Sequence, residues 1–517
     1  MPIGIQTFEE IRSNGNVYVD KTAYIYRLVN DSKCYFLGRP RRFGKSLLLS
    51  TLKAYFEGQK ALFDGLAIAG MEKDWIPYPV FHLDLNAGNY GTVTGLPVKL
   101  DDSLRYLEME WGEDQREKEA PSRFEGLIRR ACKKTGKKVV VLVDEYDKPL
   151  LQSMENSQVN EDIRSELKAF YGVLKSADPY LRFVFLTGVT KFSKISVFSD
   201  LNQPRDISLL DDYAEICGIT SAELVENFDP ELHALAEKHG LSYEEALAQM
   251  KKNFNGYHFS ENSEGVFNPF SVLNTLANRK FSYYWFATGT PTFLVRELKN
   301  VDFDIREFHD GIVTEVQAID DYRPGSGNPV ALLYQSGYLT ITGVDVDTGM
   351  YTLGFPNEEV KYGFLKELLP LYIPMVKPGE GFYIGKFYKY LRSCNIDGFM
   401  TQFKAFFASI PYDLNYEKTE IHYHKIFYLV FTLLGQFAES EVHSAKGRAD
   451  AIVKTVDAIY VFEFKLSGSG SVNGALHQID EKGYFMPYTS DGRKLIKVGV
   501  VFDTVERNIE AWKSVVI

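Results

Sequence analysis

Cysteine is scarce in this sequence. The four present (Cys34, Cys132, Cys217 and Cys394) stand far apart and form no C-x-x-C pair. That spacing argues against a zinc site or a disulfide framework and suits reduced thiols in a cytoplasm. Long apolar runs are missing too. No stretch approaches about 18 unbroken apolar residues, so no membrane-spanning helix is expected. The opening MPIGIQTFEEIRSNG has no apolar h-region, so no secretory leader is expected either. Positive charge is in deficit: 58 Lys+Arg face 69 Asp+Glu, a formal net charge of −11. Bulk electrostatics therefore does not draw this chain to nucleic acid; a local basic patch or intervening metal ions would have to. Internal repeats and low-complexity segments are absent. Aromatics are plentiful, with 32 Tyr and 37 Phe among 517 residues. They can fill a large core, spread over about two to four domains.

One absence is local. FLGRPRRFGKSLLLS, Phe36 to Ser50, ends like a phosphate-binding loop, G-x-x-x-x-G-K-[ST], but Arg39 occupies the place of its first glycine. The flanks support the loop. KCYFLG (33–38) reads as a buried strand, and KSLLLSTLKAYFEG (45–58) as a helix ending at Gly58. A helix N-terminus offers unpaired N–H groups and a positive dipole end to phosphates. Lys45 would reach the β- and γ-phosphates, Ser46 would hold Mg²⁺, and Gly44 permits close backbone approach. The competing reading is an Arg-rich surface turn before a core helix. Pro40 stiffens the start of the loop. Arg41 and Arg42 add charge, and one of them is expected to touch phosphate or to link the loop to another domain.

A second motif favours the nucleotide site. KKVVVLVDEYDKPLL, Lys137 to Leu151, is an aliphatic run ending in Asp144 and Glu145. Such a strand delivers carboxylates to the crevice where open α/β sheets bind ligands. Asp144 would hold Mg²⁺ through water, and Glu145 would polarise the attacking water. A buried strand ending in a solvated acidic turn is the plainer alternative. YPVFHLDLN (78–86) and LRFVFLTGVTKF (181–192) add strands. Thr187 stands where a γ-phosphate sensor would, though a strand-end turn would also account for it. Helical stretches such as 161–176 alternate with these strands and predict a mainly parallel sheet.

Residues 220–300 turn helical, the expected place of a lid over the nucleotide. In YYWFATGTPTFLVREL (283–298) the aromatics are expected to pack in a core. Residues 301–378 mix short strands and helices in an order that a winged-helix-like module fits, with packing or partner contact favoured over DNA binding because no basic recognition helix is in view.

Residues 379–517 form the last expected domain. GRADAIVKTVDAIYVFEFKLSGSG (447–470) holds two strand-like runs about a turn near Val456-Asp457. Folding it there sets Asp450 across from Glu463, and strand alternation puts Glu463 and Lys465 on one face. The two carboxylates suit a hard cation such as Mg²⁺, which can activate water against a phosphodiester. Glu417 or Glu420 on the preceding helix would add a ligand, with Glu420 preferred. Gln478 follows on the next helix. An ordinary amphipathic hairpin with an exposed E-x-K face is the alternative. Residues 421–517 carry equal numbers of basic and acidic residues, so no phosphate-tracking stripe is expected.

VYVDKTAYIYRLV, RPRRFGKSLLLSTLKAYF, VLVDEYDKPL, LTGVTKFSKISVFSDLN and DISLLDDYAEICGIT resemble the bacterial AAA-ATPase-like family over most of the chain, and the D…E-x-K hairpin resembles the PD-(D/E)xK nuclease superfamily. In that ATPase family the loop reads R-P-R-R-F-G-K-S. The resemblance implies an α/β chain: a P-loop NTPase core (1–219) with a mainly parallel sheet, a helical lid, then a small α/β restriction-endonuclease-like domain. It implies ATP and Mg²⁺ as cofactors. Arg41, Arg42, Phe43, Gly44, Lys45, Ser46, Leu47 and Thr187 would surround the nucleotide. Asp450, Glu463 and Lys465 would cut nucleic acid. Such fusions suit defence or mobile-element biology, with self-association left open. The rival is a signalling or scaffold ATPase whose nuclease fold is inactive and only binds. Relatives of the nuclease with a Q-x-x-x-Y motif carry a tyrosine four residues after the glutamine; here Lys482 stands there.

Overall fold

The computed structural model describes the chain except residues 192–203, 288–293, 295–297, 299–304, 321, 323–327, 373–381, 409–419, 436–438 and 443–448. It forms two compact units, Met1–Val301 with Ile312–Val360, and Asp302–Gly311 with Lys361–Ile517.

The first unit is built on a parallel sheet of β1 (Cys34–Gly38), β2 (Val80–Asp84), β3 (Val139–Asp144), β4 (Leu181–Gly188) and β5 (Arg205–Asp206), ordered β2-β3-β4-β1-β5. β3 is VVVLVD and every residue in it is buried. Branched side chains favour the extended chain, and a parallel sheet covered on both faces needs apolar residues at both parities. The helix Ala120–Thr135 covers one face with Phe124, Leu127, Ile128 and Ala131, a helical stripe, and stops at left-handed Gly136. The strand order sets up the site. The phosphate-type loop follows β1 and the acids follow β3, with β4 lying between them.

Two helices begin with reciprocal caps, Thr220 with Glu223 and Ser242 with Glu245. With the helix Pro269–Asn278 they enclose a core of Phe228, Leu232, Met250, Phe254 and Leu276. This is the helical region expected at 220–300, although most of 288–298 lies outside the described residues. A three-stranded antiparallel sheet, β6 (Ile312–Glu315), β7 (Thr340–Asp345) and β8 (Met350–Gly354) in the order β6-β8-β7, completes the unit.

The second unit carries a mixed sheet of β9 (Glu439–Val442), β10 (Ala451–Lys454), β11 (Ala458–Leu466), β12 (Lys494–Asp503) and β13 (Asn508–Val516), in the order β13-β12-β11-β10-β9. β10 and β11 form the expected antiparallel hairpin, and β11 runs parallel to β12 through the crossover helix α1 (Val472–Glu481). The two faces of β11 differ by parity. Phe462 and Phe464 meet Phe427 and Phe431 of the helix Glu420–Leu434. Ile459 and Val461 join Leu476 and Ile479 of α1. Glu463 and Lys465 share the parity of the second group and so face α1.

Candidate nucleotide and nuclease sites

After Gly38 the chain turns through the loop into the helix Lys45–Phe56. Arg42 and Gly44 take positive φ, 68° and 92°. Left-handed positions in a turn gather backbone N–H groups into an anion-accepting concavity, and the helix N-terminus adds its dipole. Lys45 is buried; its Nζ donates to the carbonyls of Arg39 (3.0 Å) and Pro40 (3.2 Å) and lies 3.4 Å from Glu145 Oε1. Ser46 and Leu47 are half-buried in the first helical turn.

Arg39, in the place of the missing glycine, is a structural strut. It is 1% exposed. Its guanidinium donates to the carbonyls of Gly38, Ser208 and Tyr213 and lies 4.1 Å from the centre of the Phe259 ring. Burial lowers its pKa. Of the two extra arginines, Arg42 stacks its guanidinium 4.8 Å from the Phe270 ring. Arg41 accepts through its carbonyl from Trp285 Nε1 at 3.0 Å. Phe43 is buried edge-on between Tyr257 and Phe259.

The acids stand at the strand ends. Glu145 has φ 52°, a left-handed posture uncommon outside glycine, where its carboxylate meets Lys45. Thr187 at the end of β4 is fully buried and donates from Oγ1 to Asp144 Oδ1 at 2.7 Å. The hydroxyl expected to face a γ-phosphate is thus engaged by the acid beside it. Asp147 is also buried. Its Oδ2 accepts from the N–H groups of Val189 and Thr190 and from Thr190 Oγ1. Burial first, and the charge of Glu145 second, push its carboxyl up to about 6.

In the second unit the hairpin pairs Ala451 with Phe462 and Lys454 with Ile459. Extended by one residue, that register sets Asp450 opposite Glu463. Asp450 Oδ2 accepts from the Phe464 N–H at 2.8 Å. Glu463 is 2% exposed, and its Oε1 accepts from Lys465 Nζ at 3.1 Å and from Gln478 Nε2. Lys465 Nζ also donates to Gln478 Oε1 at 2.5 Å. Burial first, then the negative charge of Asp450, push Glu463 up to about 7. Its second oxygen, Oε2, is buried with no hydrogen-bond partner among the described residues. A buried carboxylate oxygen left bare beside a second carboxylate is costly unless a cation meets it, so this oxygen donor set fits a hard divalent ion. Glu417 lies outside the described residues. Glu420 opens the helix Glu420–Leu434, but its side chain is not among those described. Among the described residues no group of three His, Cys, Asp or Glu is gathered for a metal.

Comparison with known proteins matches residues 2–198 to the model of a predicted AAA-ATPase (AAA-ATPase-like) and residues 418–512 to that of the PD-(D/E)XK nuclease superfamily. A protein of Azotobacter chroococcum mcd 1, described as an uncharacterized protein in the vnfD 5′ region, is 37% identical over 523 residues, covering 98% of this chain and 97% of its own. The chain belongs to the AAA-ATPase-like family. Its C-terminal domain belongs to the PD-(D/E)XK nuclease superfamily. Among solved structures, the Aeropyrum pernix ORC2 protein (ADPNP-ADP complexes) is 10% identical over 65% of this chain and 88% of its own, with a TM-score of 0.26.

In this AAA-ATPase-like chain the residues singled out between Arg41 and Leu47, with Asp144, Glu145 and Thr187, lie at one end of the parallel sheet. Asp450, Glu463 and Lys465 lie together on the other sheet, and Gln478 reaches them from α1. Sequence reasoning missed Asp147, although D-E-Y-D showed a third acid on the same turn. It also missed Tyr484. Gln478 Nε2 lies 3.4 Å from Tyr484 OH, so a tyrosine meets this glutamine from two residues past 482, beyond the end of α1 and left-handed Gly483. Trp285 belongs to the aromatic cluster expected to pack in a core, and it is buried, but nothing in the sequence paired it with the loop. Among the described residues no helix is long and apolar enough to cross a membrane.

Proposed function

We propose that this protein binds and hydrolyses ATP with Mg²⁺ at the loop 39–46, and that its C-terminal domain cleaves nucleic-acid phosphodiesters with a divalent metal. One observation carries the nuclease half: Glu463 Oε2, buried with no hydrogen-bond partner among the described residues, beside Asp450 and Lys465. An inert hairpin would have no reason to keep that oxygen desolvated without a partner. When bound, a divalent cation would supply charge neutralisation and a more acidic water. Asp450 and Glu463 would hold it. Lys465, steadied by Glu463 and Gln478, would orient the attacking water and meet charge developing on the phosphate.

At the nucleotide site Lys45 would leave the Arg39 and Pro40 carbonyls for the phosphates. Ser46 and Asp144 would hold Mg²⁺, and Glu145 would polarise the attacking water. Thr187 serves by holding Asp144. ATP turnover would gate cleavage, a coupling suited to defence or mobile-element biology.

The test is cleavage of plasmid DNA, single-stranded DNA and RNA with Mg²⁺ or Mn²⁺, with and without ATP, by the parent, Glu463→Gln and Lys465→Ala. Metal-dependent cutting by the parent, lost in both variants, is the expected result. No cutting by the parent on any substrate would leave the scaffold ATPase with a binding-only nuclease fold.

A further inference from the structure

Trp285 lies 244 residues from the phosphate-type loop in sequence and donates its indole N–H to the Arg41 carbonyl at 3.0 Å. It is well held for that purpose. The residue is 6% exposed. Its backbone N–H donates to Glu359 Oε1 at 2.8 Å, and Ser271 Oγ donates to Glu359 Oε2 at 2.6 Å. Glu359 is fully buried, so this carboxylate and its donors form a fixed interior mount.

The loop leans on the same side at neighbouring positions. Arg42 lies over Phe270, Phe43 sits between Tyr257 and Phe259, and Pro40 packs so closely on Gly337 that a Cβ there would stand 2.8 Å from it. An ordinary phosphate loop relies on glycine for its shape. This one has a non-glycine residue, Arg42, in left-handed backbone, which must be stabilised by its surroundings.

We propose that Trp285 is a positioning residue for nucleotide binding, holding the Arg41–Arg42 peptide plane in the orientation that phosphates require. A trans peptide points its C=O and N–H in opposite directions. Fixing the Arg41 carbonyl on Trp285 therefore turns the Arg42 N–H away from Trp285, leaving it to the phosphates. The mount on Ser271 and Glu359 ties that orientation to the helical region, so nucleotide occupancy and the packing of that region report on each other. This proposal rests on the ATP-binding reading above.

The experiment measures ATP and ADP affinity by calorimetry, steady-state ATP turnover, and tryptophan fluorescence in the full chain. Trp285→Phe keeps an aromatic ring and removes the donor. It is expected to weaken both nucleotides by about fivefold, the worth of one net hydrogen bond, while turnover at saturation stays within about twofold. The nucleotide-induced fluorescence change of the parent should vanish in that variant. Glu359→Gln keeps the indole and loosens its mount, and should weaken binding in the same direction by less. A merely structural role would lower turnover at unchanged KM, and that result overturns the proposal. So does parent-like affinity in Trp285→Phe, or in Glu359→Gln should Trp285→Phe not fold. Parent-like ATP affinity in Lys45→Ala would instead sink the ATP-binding reading, and this proposal with it.

Discussion

Thr187 Oγ1 donates to Asp144 Oδ1 at 2.7 Å across the adjacent ends of β4 and β3. The strand between the phosphate-type loop and the acids thus steadies the carboxylate expected to hold the metal. Thr187→Val removes this charge-assisted hydrogen bond at nearly constant volume. It should cost about 1.5 to 3 kcal/mol of stability and lower ATP turnover about tenfold with ATP affinity retained. Urea unfolding and steady-state turnover check both; unchanged turnover would show that Asp144 needs no such support.

Glu359 gives the fold a pH dependence of definite sign. Burial, partly offset by Ser271 and the Trp285 and Phe286 N–H groups, raises its carboxyl from 4.5 to about 7. The folded state therefore holds a proton that the unfolded chain releases near 4.5. The stabilisation is fully present below that value and is lost as pH rises through about 7. A shift of this size corresponds to about 3 kcal/mol. Urea unfolding at pH 5 and pH 8 should show the parent losing more stability than Glu359→Gln by about that amount. Equal losses would mean that Glu359 is ionised in the folded protein across the whole range.

Glu463 Oε2, buried with no hydrogen-bond partner among the described residues, predicts metal-linked stability. Mn²⁺ or Mg²⁺ at about 100 times its dissociation constant should stabilise the second unit by about 2.7 kcal/mol, seen as a higher melting temperature. In Glu463→Gln the gain should fall to near zero. A gain that survives this substitution would place the ion elsewhere.

Gly499 is the register partner of Glu463 on β12. A Cβ there would stand 2.7 Å from the Val472 carbonyl and 3.1 Å from Ala475 Cβ, both on α1. Gly499→Ala should push α1 off the sheet and draw Gln478 away from Glu463. The expected cost is about 1 to 3 kcal/mol, together with loss of cleavage. Full cleavage by a stable Gly499→Ala protein would show that Gln478 is not needed in its place.

Local pattern alone decided much of this protein. A hairpin pairs by a period of two, so the turn between Val453 and Ile459 was enough to set Asp450 across from Glu463 and to put Lys465 on the same face. Likewise an apolar strand, a basic turn with G-K-S and a leucine-rich helix can hardly fold in any other local order. The strand limits were read too long, by one residue before Cys34, by two at each end of Val80–Asp84 and by at least three beyond Gly188, because apolar character fades gradually at strand ends while the hydrogen-bond ladder stops abruptly. Contacts made by packing were a different matter. That Arg39 is a buried strut, that Thr187 spends its hydroxyl on Asp144, that Tyr484 reaches Gln478 from beyond the helix end and that Trp285 holds the Arg41 carbonyl all depend on segments far apart in the chain or on how a helix ends. No periodicity encodes such pairings. They arise when the two faces of a sheet and the helices above it close on one another and each buried polar group must find a partner.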